Sequence, residues 1–145
     1  MAKNIVLIGF MGTGKSSIGI RLAQKLHREF VDVDREIEKI TGMSISQLFR
    51  KHGELRFRSE ERLMVKKLAE RDNQVIATGG GLVLDPENIK ILSENGIIIC
   101  LQAEPEDILA RVNRKKGIRP LLKKDFTAED IEKMLAERQE YYKCA

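Results

Sequence analysis

The chain has 145 residues, 42% hydrophobic and 33% charged, with 26 Lys and Arg against 22 Asp and Glu for a net charge of +4. That length suits one domain with an ordinary core, and the composition excludes a disordered or fibrous protein. Cys100 and Cys144 form neither a disulfide framework nor a metal pair. No apolar run nears the roughly 18 residues of a membrane span, and no signal-peptide cleavage pattern follows the N-terminus. A soluble, cytoplasmic protein is expected, with no membrane and no nucleic-acid partner.

In chain order, "NIVLIGF" at 4–10 reads as a strand and residues 15–27 as a helix, with Ile18, Leu22, Ala23 and Leu26 at helical spacing. "FVDVD" at 30–34 is a second strand, followed by helical patterns at 35–40, 45–51 and 56–71. "QVIAT" at 74–78 is a third strand and "GIIICLQ" at 96–102 a fourth. Strands and helices alternate, and the strands are apolar on successive residues. This predicts an α/β three-layer fold, a parallel sheet buried on both faces with helices on each side. Ser44 with Gln47 and Thr127 with Asp130 have capping-box spacing, and Pro86 and Pro105 suit the first turn of a helix. "NRKKGIRP" at 113–120 has no apolar period and reads as a loop.

The segment from Gly9 to Ser16, GFMGTGKS, fits G-x-x-x-x-G-K-[ST] between a strand and a helix. Its glycines let backbone N–H groups turn toward phosphate, and the helix N-terminus adds partial positive charge there. Gly12, Thr13, Gly14, Lys15, Ser16 and Ser17 are therefore the expected phosphate-binding set. Lys15 would reach the β- and γ-phosphates of ATP, and Ser16 would ligate Mg²⁺.

Asp32 and Asp34, two apart at the end of the second strand, are expected on one face of that strand. Asp32 would hold the metal directly or through water, and Asp34 would accept a substrate hydroxyl's proton or hydrogen bond. In "GELRFRSEERL", Arg58 and Glu61 are three apart, so Glu61 is expected to brace a guanidinium fork suited to a carboxylate. Gly79, Gly80 and Gly81 follow the third strand, and three glycines suggest a place where a ligand approaches bare backbone. Arg119 lies in the predicted loop, where closure would carry positive charge over a transferring phosphoryl group.

Taken together, "GFMGTGKSSIG", "FVDVDREIE", "SISQLFRKHGELRFRSEE", "ATGGGLV" and "RPLL" resemble, in order and separation, the shikimate kinase family. The resemblance runs from residue 4 to about 142. It implies a single P-loop kinase domain over 1–145, with a substrate-binding helical insertion at about 35–71 and a lid at about 113–123. The implied reaction is transfer of the ATP γ-phosphoryl group to the 3-hydroxyl of shikimate, in aromatic amino-acid biosynthesis. ATP and Mg²⁺ are the implied cofactors.

The resemblance also implies that Lys15, Asp34 and Arg119 are catalytic and that Ser16 and Asp32 hold the metal. Asp34, Arg58, Gly79, Gly80, Gly81 and Arg138 would hold shikimate, with both arginines on its carboxylate. Arg119 would contact phosphate, and Arg111 or Arg114 would stack on adenine. Relatives continue into a fifth strand and a closing helix, so the implied strand order here is 2-3-1-4 with the fifth strand absent. The edge at 96–102 is then expected either to reflect a shortened chain or to be covered by a partner; otherwise a monomer is expected. The alternatives are another small hydroxy-acid kinase, such as one for gluconate, and a non-catalytic nucleotide-binding module.

Overall fold

The computed structural model describes residues 3–9 and 15–101, together with the isolated helical positions Lys133 and Ala136. Strand β1 (Asn4–Gly9) leads to helix α1 (Lys15–Leu26), strand β2 (Glu29–Asp32), helices α2 (Val33–Thr41) and α3 (Ile45–Ala69), and strand β3 (Gln74–Ala77). A 3₁₀ turn (Leu82–Leu84), helix α4 (Pro86–Glu94) and strand β4 (Gly96–Leu101) complete the described part.

The described strands form one sheet in the order β2-β3-β1-β4, and every pairing in it is parallel. Parallel neighbours require crossovers, which the helices supply. Alternation along β1 divides the core: Val6 and Ile8 join Ile37, Leu48, Val65, Leu68, Ile76 and Leu92 on the face covered by α2, α3 and α4. Leu7 and Val75 point to the other face, where they meet Ala23 of α1. This is the three-layer arrangement expected from the apolar runs. No helix among the described residues is long and apolar enough to cross a membrane.

Local chemistry sets the element ends. Ser44 accepts from the Gln47 N–H while the Gln47 side chain accepts from the Ser44 N–H, completing the expected capping box of α3. Asp85 caps α4 ahead of Pro86. The two helices expected at 45–51 and 56–71 are both present within α3, which is broken between them at Gly53, whose φ of 81° lies outside the helical region.

Two expectations need correction. Asp32 and Asp34 do not share a strand face: β2 ends at Asp32, and Asp34 stands in the first turn of α2. The physical reason is capping, since Asp32 Oδ1 accepts from the N–H groups of Asp34 and Arg35 and so starts the helix there. Nor is β4 buried on both faces. Ile98 and Cys100 pack on the core, whereas Ile97 and Ile99 are 56% and 39% exposed. On that face α1 packs mainly on β3, β2 and β1.

Candidate active site

Three adjacent parallel strands bring their carboxyl ends to one rim of the sheet, at Gly9, Asp32 and Ala77. Open α/β sheets bind ligands at this rim. Thr78, just past β3, ties its end to β1 by donating Oγ1 to the Leu7 carbonyl at 2.9 Å.

Lys15 opens α1, is 8% exposed, and donates Nζ to the Gly9 carbonyl at 2.7 Å. Its ammonium is thus fixed at the end of β1, where the phosphates of a nucleotide would enter. Ser16 and Ser17 are exposed in the same turn. Gly12, Thr13 and Gly14 lie outside the described residues, as do Arg111, Arg114, Arg119 and Arg138, the lid segment, and the Thr127 and Pro105 helix starts.

Ser16 Oγ donates to Asp32 Oδ2 at 3.1 Å, so α1 and the end of β2 place a hydroxyl and a carboxylate side by side. Both are hard oxygen donors, and Ser16 is open to solvent. That set fits Mg²⁺, which takes one or two protein oxygens and keeps most of its waters. No group of three or more His, Cys, Asp or Glu that could hold a metal occurs among the described residues, so a metal here would rest on this pair and on substrate phosphate.

Beside this pair, Asp34 and Arg58 converge on the 79–81 turn from different helices. A Cβ added at Gly79 would stand 2.9 Å from Asp34 Oδ1, and one at Gly81 would stand 2.9 Å from Arg58 Nη1. The glycines therefore give room first to the protein's own carboxylate and guanidinium. Gly81 has φ −103°, which any residue can adopt, so steric closeness rather than backbone conformation requires glycine there.

The expected Arg58–Glu61 pair forms, with Nη1 donating to Oε1 at 3.0 Å. Two supports were not read from the sequence: Glu54 Oε2 accepts from Arg58 Nε at 3.4 Å, and the guanidinium carbon lies 5.1 Å from the Phe57 ring centroid. Glu61 is 1% exposed. Burial pushes its carboxyl up to about 7, with Asp34 and Asp85 adding to the rise and Arg58 opposing it. Its burial has a sequence signal, since Phe57, Glu61, Met64, Val65 and Leu68 share the helical spacing of the core face of α3. Arg62, next in the chain, clamps Asp85 through Nε and Nη2 at 3.0 and 2.7 Å, tying α3 to the segment that leaves the glycine turn.

A family model described as shikimate kinase matches residues 11–145. The shikimate kinase of Pelotomaculum thermopropionicum is 56% identical over 143 residues, covering 99% of this chain and 83% of that protein. Among solved structures, a shikimate kinase from Acinetobacter baumannii in complex with shikimate superposes with a TM-score of 0.92 at 38% identity, covering 99% of this chain and 79% of that one. A gluconokinase from Sinorhizobium meliloti, at TM-score 0.54 and 17% identity, covers 92% of this chain and 73% of its own and shares the fold alone. With the sheet order, the paired Ser16 and Asp32 and the glycine turn facing Asp34 and Arg58 already in place, these matches show that the chain belongs to the shikimate kinase family.

Proposed function

We propose that this chain transfers the γ-phosphoryl group of ATP to the 3-hydroxyl of shikimate, yielding shikimate 3-phosphate and ADP in the cytoplasm. The observation that carries the reading is the convergence of Asp34 and Arg58 on the 79–81 turn, beside the Lys15, Ser16 and Asp32 cluster. A carboxylate-bearing alcohol fits between them: Arg58 offers a braced planar fork to the acid, and Asp34 accepts from a hydroxyl. The helices α2 and α3, which supply both groups, would then be the acceptor-binding part of the chain.

Phosphoryl transfer asks little covalent chemistry of the protein; positioning and charge neutralisation provide most of the acceleration. Lys15 holds a cation at the end of β1, where charge builds on the transferring oxygens. Asp34 orients the attacking hydroxyl and takes its proton as the O–P bond forms. Ser16 and Asp32 would hold Mg²⁺, which when bound neutralises phosphate charge. Arg119 would add positive charge over the phosphates, Arg138 would be a second cation for the substrate carboxylate, and Arg111 would contact adenine, as the family resemblance implies.

ADP release measured with ATP, Mg²⁺ and either shikimate or gluconate tests the assignment. Turnover is expected with shikimate and not with gluconate, and the reverse would overturn it. Asp34→Asn is expected to lose most turnover while ATP binding persists; equal loss of ATP binding would contradict the role given to Asp34.

A further inference from the structure

Glu61 is a buried carboxyl beside the proposed carboxylate site, and its two oxygens are not equivalent. Oε1 accepts from Arg58 Nη1 at 3.0 Å, whereas Oε2 is buried with no hydrogen-bond partner among the described residues. An ionised carboxylate is poorly served by such a pocket, and a neutral carboxyl with its proton on one oxygen is better served. The charged groups around it come from each packed element. On α3 stand Arg58, with Glu54 on its far side, and Arg62. From α2 comes Asp34, and from the start of α4 comes Asp85, which Arg62 clamps.

We propose that docking of the substrate's carboxylate at Arg58 draws a proton from solvent onto Glu61, so that acid binding and protonation of Glu61 are one coupled event. The inference rests on the reading that Arg58 receives that carboxylate. The guanidinium is shared: Nη1 serves Glu61 and Nε serves Glu54, while Gly81 lies against its outer edge. A second carboxylate making ordinary hydrogen bonds to the same fork would stand about 6 Å from the Glu61 carboxylate. At an effective dielectric of about 20, two negative charges at that separation disfavour each other by up to about 100-fold. Protonation of Glu61 removes that repulsion and leaves the fork to the substrate. In balance, one proton passes from buffer to a Glu61 oxygen, and no covalent bond in the substrate changes.

The sign follows from linkage. A carboxyl at about 7 in the free protein is held still higher when the anion binds. Uptake is then near zero at about pH 5, where the group is protonated in both states, and approaches one proton at about pH 8. Affinity for the acid falls as pH rises above 7, by up to about tenfold per unit.

The test is calorimetric titration of the full chain with shikimate at pH 8 in phosphate and in Tris, whose ionisation enthalpies differ widely. The observed heats are expected to differ by an amount corresponding to more than about half a proton taken up per shikimate. Glu61→Gln, which keeps an oxygen for Arg58 and cannot titrate, is expected to bind with the same heat in both buffers. If that variant does not fold, carbon-13 NMR of the wild-type Glu61 carboxyl gives the same information, by moving to its protonated position as shikimate is added at pH 8. Binding with equal heats in both buffers would overturn the coupling alone. Uptake that persists in Glu61→Gln would also overturn it, since the proton would then land elsewhere. No binding at any pH would remove the substrate assignment and the coupling with it.

Discussion

Gly81→Ala separates the acceptor site from the fold. The backbone at 81 is already in a conformation alanine adopts, at φ −103° and ψ 3°, so the added methyl brings no torsional strain. It does bring a collision: the Cβ would stand 2.9 Å from Arg58 Nη1 and 3.0 Å from Cζ, with Nη2 nearer still. The atoms displaced are the far end of a flexible side chain, and the stability cost is expected to stay within about 1–2 kcal/mol. Binding suffers more. To clear the methyl, the guanidinium must leave the position set by Glu61 at 3.0 Å and by the Phe57 ring. Hydrogen bonds to a charged group are worth about 1.5–3 kcal/mol, so loss of one aligned contact to the substrate acid raises KM for shikimate by roughly 10- to 150-fold.

The assay is steady-state ADP release with shikimate varied at saturating ATP, then ATP varied at saturating shikimate, with a thermal melt of the same preparation. KM for shikimate is expected to rise at least tenfold while KM for ATP stays within twofold, because Lys15 and Ser16 are untouched. An unchanged KM for shikimate would refute the idea that Gly81 is bare to make room for Arg58. Equal rises for both substrates would show damage to the whole rim instead.

Further predictions rest on other groups. Glu61 is held up from 4.5 to about 7 in the folded chain, so its contribution to stability is fully present below about pH 4.5 and is lost as pH rises through 7. Wild type is therefore expected to lose about 3 kcal/mol relative to Glu61→Gln between those limits, and urea titrations showing a constant difference across that range would contradict the burial argument. Gly19→Val places side-chain atoms where a Cβ alone would stand 2.5 Å from Phe30 Cε1. A loss of about 2 kcal/mol or more in urea unfolding is expected, and an unchanged midpoint would show that Phe30 can move aside.

What the sequence made legible was mostly local. Strand β1 and the Lys15-led helix follow from a contiguous motif, and the Ser44–Gln47 box and the Asp85–Pro86 start follow from capping chemistry within four residues. Strand alternation and helix capping both explain two carboxylates at D-x-D spacing, so the spacing alone does not place them; the N–H groups of Asp34 and Arg35 decide for capping. The apolar composition of the run GIIICL does not distinguish a strand flanked by helices on both faces from one covered on a single face. The structure gives that strand one open face, at Ile97 and Ile99.

The two halves of the proposed site differ in how they are encoded, and the difference has a consequence. The donor half is set by the junction of β1 and α1 and is tied to the end of β2 by the Ser16–Asp32 hydrogen bond. The acceptor half is assembled from α2, α3 and the turn after β3, whose residues are far apart in sequence and meet only through packing. Its geometry depends on how α3 lies on the core through Met64, Val65 and Leu68, and on the Arg62 clamp to Asp85. A shift of α3 would move Arg58 and Glu61 together, away from Gly81, without disturbing Lys15. Acceptor affinity is therefore the property most exposed to change in the core beneath α3, and nucleotide binding the least. For the same reason the glycine-rich motif is plain in the sequence, whereas a buried carboxyl that shares the arginine proposed for the substrate becomes visible only once the helices are packed.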